Sequence, residues 1–296
     1  MIPSISIGTS QYVDVIKSNL NRQISNLENN GLKLEIVELP AGKYTFLSCN
    51  INGKIPYINK SGYQIFKKYV AHAVSDVIVN QWQNILINNI IKENYYYFNE
   101  DEKDRILAFA QDYVQNKNTD FGIQLHSRRW EQINQRLNEY LENNDQLVVE
   151  GFIRFRLKEY VSDLKEAIDN AVDDFLMERE YGEFIQLLRY FVDIQDSKLD
   201  LAHVVVKPNG SFALYDNNER AINNQTIEDF ILDVNDDINY EDLLVSALIS
   251  LSPRKIVFHH NEKKLPKTTL KTIQDVFVGR VETCVGCEIC NGQINN

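Results

Sequence analysis

Residues 151–195 read GFIRFRLKEYVSDLKEAIDNAVDDFLMEREYGEFIQLLRYFVDIQ, and the spacing of apolar residues in this stretch decides the fold class. Leu157, Tyr160, Val161, Leu164, Ile168, Ala171, Val172 and Phe175 recur every three or four positions, while Lys158, Asp163, Lys165, Glu166, Asp169 and Asp173 fill the gaps. A period near 3.6 puts the first set on one face of a helix and the second on the other, so the stretch predicts a long amphipathic helix. Gly182 is expected to interrupt it, with a second helix following whose inner stripe is Phe184, Leu187, Leu188 and Phe191. Such helices bury their stripes against each other or against the helices that precede them.

Upstream, helical spacing persists from about residue 61. Phe66, Val70, Val74, Val77, Trp82, Ile85 and Ile90 predict one long helix ending near Tyr95, Tyr96 and Tyr97, a run read as aromatic packing at a helix terminus. Asn99 with Glu102 has the form of a capping box for a helix over 101–115. Trp130, Ile133, Leu137, Tyr140 and Leu141 mark another helix. The first sixty residues predict a β-α-β-β order: a strand at 5–8, a helix at 12–27, and two strands, 32–37 and 44–51, joined around Pro40, Ala41 and Gly42.

Downstream of Leu199 the pattern is mixed. Two β-type runs, 203–207 and 211–215, flank Pro208, Asn209 and Gly210. Helices are expected over 226–232, over 240–251 with Asn239 as its cap, and over 268–280 with Ile273, Val276 and Phe277 inward. A short strand lies at 255–259. The class is α+β and predominantly helical, with a small N-terminal β-α-β-β unit, a central multi-helix bundle and a C-terminal α/β segment ending in a cysteine tail. Composition shifts near Asn59 and at 196–200 suggest segments at 1–59, 60–197, 198–283 (packed on the bundle) and 284–296.

A chain of 296 residues with 44% hydrophobic and 25% charged content is of globular type. It contains no apolar run of about 18 residues, and its start, MIPSISIGTS, lacks the basic and long apolar parts of a secretory signal. A cytoplasmic location without membrane insertion is therefore expected. A net charge of −11 opposes wholesale binding to phosphate backbones, so nucleic acid is not an expected partner.

Three of the four cysteines, Cys284, Cys287 and Cys290, fall in the last thirteen residues as C-x-x-C-x-x-C. A C-x-x-C pair can bend into a knuckle that aims two thiolates at one ion, and Gly286 supplies backbone freedom for that turn. Three soft donors suit zinc or an iron–sulfur cluster, with the fourth position open to Cys49, His203, His259, His260 or an exogenous ligand. The competing reading is a tail of reduced thiols. Because residues three apart on a helix lie along a drifting stripe and not around a point, metal binding also predicts that the last helix stops before Cys284. His259 and His260 are adjacent on a strand and face opposite sides, so one of them at most joins a site.

Other polar groups read more simply. Arg154 and Arg156, beside Phe152 and Phe155, and Arg128 and Arg129 upstream, could clamp a phosphate or carboxylate, but pairing with acidic neighbours or lying over aromatics is the better reading. Glu178, Glu180 and Glu183 read as a solvated helix surface. No G-x-x-x-x-G-K-[ST], G-x-G-x-x-G, G-x-S-x-G or H-E-x-x-H motif occurs.

The blocks GFIRFRLKEY (151–160), EREYGEFIQLLRYFVDIQ (178–195), LLVSALISLSPRKIVFHH (243–260) and TIQDVFVGRVETCVGCEIC (272–290) resemble the YtxC-like sporulation proteins of endospore-forming bacteria. That resemblance implies a cytosolic role connected with sporulation and carries over no catalytic residue. Together these readings lead to a non-enzymatic protein acting through contacts with a protein partner, with a C-terminal thiolate knuckle for a metal. The alternative is an enzyme or redox sensor that uses Cys284, Cys287 and Cys290 to hold a cluster or a reactive zinc.

Overall fold

The computed structural model describes residues 4–28, 33–52, 60–115, 120–206, 212–222, 240–259 and 267–287. The fold is α+β and predominantly helical. It divides into two compact units, 1–176 and 177–296. The division falls inside a helix, and neither composition shift in the sequence coincides with it.

The first unit opens with the expected β-α-β-β order: β1 (Ser4–Thr9), α1 (Val13–Glu28), β2 (Lys33–Ala41) and β3 (Tyr44–Asn52). β2 and β3 form a hairpin in which Ala41 faces Tyr44, so the turn is Gly42 and Lys43, one step later than expected. Pro40 stays in β2, which is tolerable because β2 is an edge strand and a missing N–H there breaks no interior ladder. A three-residue strand that periodicity could not reveal, β4 (Gln146–Val148), pairs in parallel with β1 and completes the order β2-β3-β1-β4.

Helices then cover one face of that sheet. α2 (Lys60–Val77) passes through a π-helical turn, Ile78–Trp82, into α3 (Gln83–Asn94), so the long helix expected here exists with one wide turn inside it. α4 (Glu100–Gln115) starts with the predicted capping box: Asn99 N–H donates to Glu102 Oε2 and Glu102 N–H to Asn99 Oδ1, each at 2.9 Å. α5 (Asp120–Asn143) and the short α6 (Val149–Arg156) follow. Leu157 separates α6 from α7 (Lys158–Ile194). Leu157, Leu164, Ile168, Ala171, Val172 and Phe175 are buried with Ile5, Ile7, Leu47, Phe66, Val70 and Val74 in one core. The stripe that defines the fold class is therefore an inner stripe.

The second half of α7 departs from expectation. There is no break at Gly182, and Phe184, Leu187 and Phe191 are exposed; Ile185 and Val192 are buried instead, with Leu188 packed beside them. Nearly every residue from Phe184 to Val192 is apolar, so spacing alone could not select the buried line.

Those residues belong to the second unit's core, together with β5 (Leu201–Val206), β6 (Phe212–Tyr215), α8 (Tyr240–Leu251), β7 (Lys255–His259), α9 (Lys267–Val276) and β8 (Val281–Thr283). The strand order is β6-β5-β7-β8; β5 and β6 are antiparallel, while β5 with β7 and β7 with β8 are parallel. Each parallel step is bridged by a helix, α8 and then α9, and both contribute to one core with Ala202, Val204, Ile256 and Phe258. The other face of the sheet carries Leu201, His203, Val205, Val257 and His259, because strand side chains alternate. α9 ends at Val276, ahead of Cys284 as metal binding requires, with Ile273, Val276 and Phe277 buried. The short β8 between α9 and the cysteines is absent from the sequence reading. The turn at 208–210, the helix at 226–232, the Asn239 cap, His260 and Cys290 lie outside the described residues.

Candidate metal centre

The parallel pairing of β7 with β8 brings together residues twenty-five positions apart. His259 is the last residue of β7, and Phe258 faces Thr283 on β8. The ladder goes one step further, with Cys284 N–H donating to the Phe258 carbonyl at 2.9 Å, which sets Cys284 beside His259. The chain then turns at Gly286, whose φ of 134° lies where side-chain-bearing residues are strained. Gly286 N–H donates to Cys284 Sγ at 3.4 Å, and the turn returns Cys287 so that its Sγ is 3.2 Å from His259 Nδ1.

The donor atoms of His259, Cys284 and Cys287 all lie within 4.8 Å of one another. Ligands around a tetrahedral zinc with Zn–S near 2.3 Å and Zn–N near 2.0 Å stand about 3.5–3.8 Å apart, so small shifts of the side chains suffice to close this trio on an ion. His259 is 4% exposed, and both cysteines are half-buried. Burial, and secondarily the neighbouring His203, push the His259 imidazole below its ordinary pKa. That favours the neutral ring, the form that binds metal. On its far side, His259 Nε2 is 2.8 Å from His203 Nδ1.

The sequence expectations sort accordingly. Cys284 and Cys287 come together, and the donor joining them is His259, one of five candidates for the position beside the thiols. Cys49 lies in β3 of the other unit, buried, and burial pushes its thiol up to about 12; it is a packing residue. Arg154 lies over the Phe155 ring and Arg156 over Tyr140, the aromatic placement expected, and Arg129 donates to the Val114 carbonyl at 2.9 Å. Arg156 borders an open cleft of about 1140 Å³ with Tyr140, Phe155 and Asp145, but Asp145 is already engaged by Lys67 and Tyr63. Among Tyr95, Tyr96 and Tyr97, Tyr95 packs against the core and donates to Asp169, while the other two are exposed. Glu183 pairs with Arg179 at 3.8 Å on the surface of α7.

Fold and site together define an α+β protein whose C-terminal unit gathers an imidazole and two thiols at the open ends of two parallel strands. Among the described residues no helix is long and apolar enough to cross a membrane. The chain belongs to the YtxC-like family, whose model matches residues 68–282. It is similar to the uncharacterized protein YtxC of Bacillus subtilis (strain 168), at 28% identity over 202 residues, covering 66% of this chain and 68% of that protein. No solved structure matches it. The family match includes His203 and His259 and stops short of Cys284, so membership by itself says nothing about the thiols.

Proposed function

We propose that this is a sporulation-associated, non-enzymatic protein of the cytoplasm that acts through protein contacts, and that its C-terminal unit is completed by a zinc ion held by His259, Cys284, Cys287 and Cys290. The observation that carries the metal reading is the convergence of His259, Cys284 and Cys287 within 4.8 Å. Cys290 enters from the repeated C-x-x-C spacing. An imidazole among thiolates is a donor set of zinc, and four protein ligands leave no open position for a substrate, which makes the role structural. The ion would fasten the end of edge strand β8 to the end of β7, where pairing extends over only three residue pairs. The sporulation role rests on the resemblance of the blocks at 151–160, 178–195, 243–260 and 272–290 to the YtxC-like sporulation proteins.

The test is elemental analysis of full-length protein purified without oxygen. The expected result is one zinc per chain, lost in His259→Ala, Cys284→Ser and Cys287→Ser. Iron with sulfide and a brown colour would favour the redox alternative; a metal-free, fully folded protein would overturn both. In a spore-forming host, deletion of the gene and Cys287→Ser should each lower the yield of heat-resistant spores, and a normal yield in both strains would sink the sporulation role.

A further inference from the structure

We infer that His203 is the positioning residue that makes His259 a metal ligand: it takes the Nε2 side of the ring and so leaves Nδ1 directed at the cysteine sulfurs. The inference rests on the metal reading above and adds to it a residue from a third strand.

The register places the two rings. On the parallel strands β5 and β7, His203 faces Val257 and Val205 faces His259, so both histidines project from the same side of the sheet, one step apart along the diagonal. Their ring centroids are 5.0 Å apart with planes at 42°, and the shortest approach is His203 Nδ1 to His259 Nε2 at 2.8 Å. The other nitrogen of His259, Nδ1, is the one 3.2 Å from Cys287 Sγ.

An imidazole has two nitrogens and, when neutral, one proton. If Nδ1 donates its lone pair to a cation, the proton must sit on Nε2, and that N–H needs an acceptor. At 4% exposure His259 has little access to water for this purpose. His203 Nδ1 is in place to accept, with the His203 proton then carried on its own Nε2. The same geometry removes His203 from the ligand candidates, because it stands on the side of the His259 ring that faces away from the sulfurs. Ligating histidines are commonly fixed by a carboxylate or carbonyl at the second nitrogen; here a second imidazole fills that role.

The experiment titrates full-length protein with cobalt(II), followed by zinc competition, for wild type, His203→Leu, His203→Asn and His259→Ala. Leucine keeps bulk and removes the acceptor. Asparagine can place its Oδ1 near the position of the lost Nδ1. The expected result is a loss of about 10- to 100-fold in zinc affinity for His203→Leu, with most of it returned in His203→Asn. In His203→Leu the sulfur-to-cobalt charge-transfer bands should persist while the visible bands of the tetrahedral site weaken, whereas His259→Ala should hold no cobalt. A purely structural role would lower the melting temperature and leave the cobalt spectrum and zinc affinity unchanged. Wild-type affinity in His203→Leu, or equal losses in His203→Leu and His203→Asn, would overturn the inference while leaving the metal site standing. Wild-type protein that binds neither metal would remove the site itself, and this inference with it.

Discussion

Lys67 is a buried cation, 5% exposed, and its surroundings show how a single side chain can hold a strand in place. Its Nζ is 2.8 Å from Asp145 Oδ1 and also donates to the Glu142 carbonyl at 3.3 Å. Tyr63 O–H donates to the same carboxylate oxygen at 2.8 Å. Asp145 immediately precedes β4, and its carbonyl accepts from Ser6 N–H of β1, so these bonds fix the point where β4 joins the sheet. The hydrogen bond from Lys67, then that from Tyr63, holds the Asp145 carboxyl below its ordinary range. A carboxyl depressed in the folded state contributes stability that is complete above its unfolded pKa and is lost as pH falls through the folded one. Asp145→Asn should therefore cost about 1–2 kcal/mol near neutral pH, a figure kept small because the Asp145 side chain is 61% exposed. Urea midpoints of the two proteins should converge as the pH falls below the ordinary aspartate range; a gap as large there as at neutral pH would count against the pairing. None of this was legible in the sequence, where Asp145 is one more acid in a polar stretch. The candidate site was half legible. The thiol spacing marked Cys284 and Cys287, but choosing His259 from the possible donors needed the β7–β8 pairing across an intervening helix, which local periodicity does not encode.

The long helix α7 shows where pattern reading succeeds and where it loses its grip. From Leu157 to Phe175 charged residues separate the apolar ones, so one stripe is defined, and it is buried. From Phe184 to Val192 apolar residues surround the axis, and two lines are equally hydrophobic on paper. Tertiary packing selects Ile185 and Val192. Ile185→Ala should therefore cost about 2–4 kcal/mol, whereas Phe184→Ala, at 52% exposure, should stay within about 0.5 kcal/mol. The reverse ranking in urea denaturation would show that the second half of the helix is turned on its axis. Gly182 supplies a second check. The expected break there does not occur: the helix runs through Gly182, and nothing lies within 4 Å of where a Cβ would stand. Gly182→Ala should raise stability by about 0.5–1 kcal/mol, the interior helix penalty of glycine. A destabilised variant would mean that the backbone there is not helical.

At the scale of the whole molecule, the two compact units each have a mixed sheet and a separate hydrophobic core, and only the second contains the candidate metal site. Their division was hidden in the sequence because it falls where one helix continues without a change of composition. Both tryptophans, Trp82 and Trp130, belong to the first unit, so tryptophan emission reports that unit while far-ultraviolet circular dichroism reports both. A zinc bound only by the folded second unit stabilises it by RT ln(1 + [Zn]/Kd), about 4 kcal/mol at a free concentration 1,000-fold above Kd. For a unit of this size that corresponds to roughly 10–20 °C in Tm. Stripping the metal with a chelator should therefore move the circular-dichroism midpoint down by about that amount and the tryptophan midpoint by much less. Cys287→Ser should reproduce the shift and show no further response to the chelator. If both probes fall together, the continuous helix couples the two cores and the metal stabilises the whole chain; if neither moves, the thiolate–imidazole trio holds no structural ion.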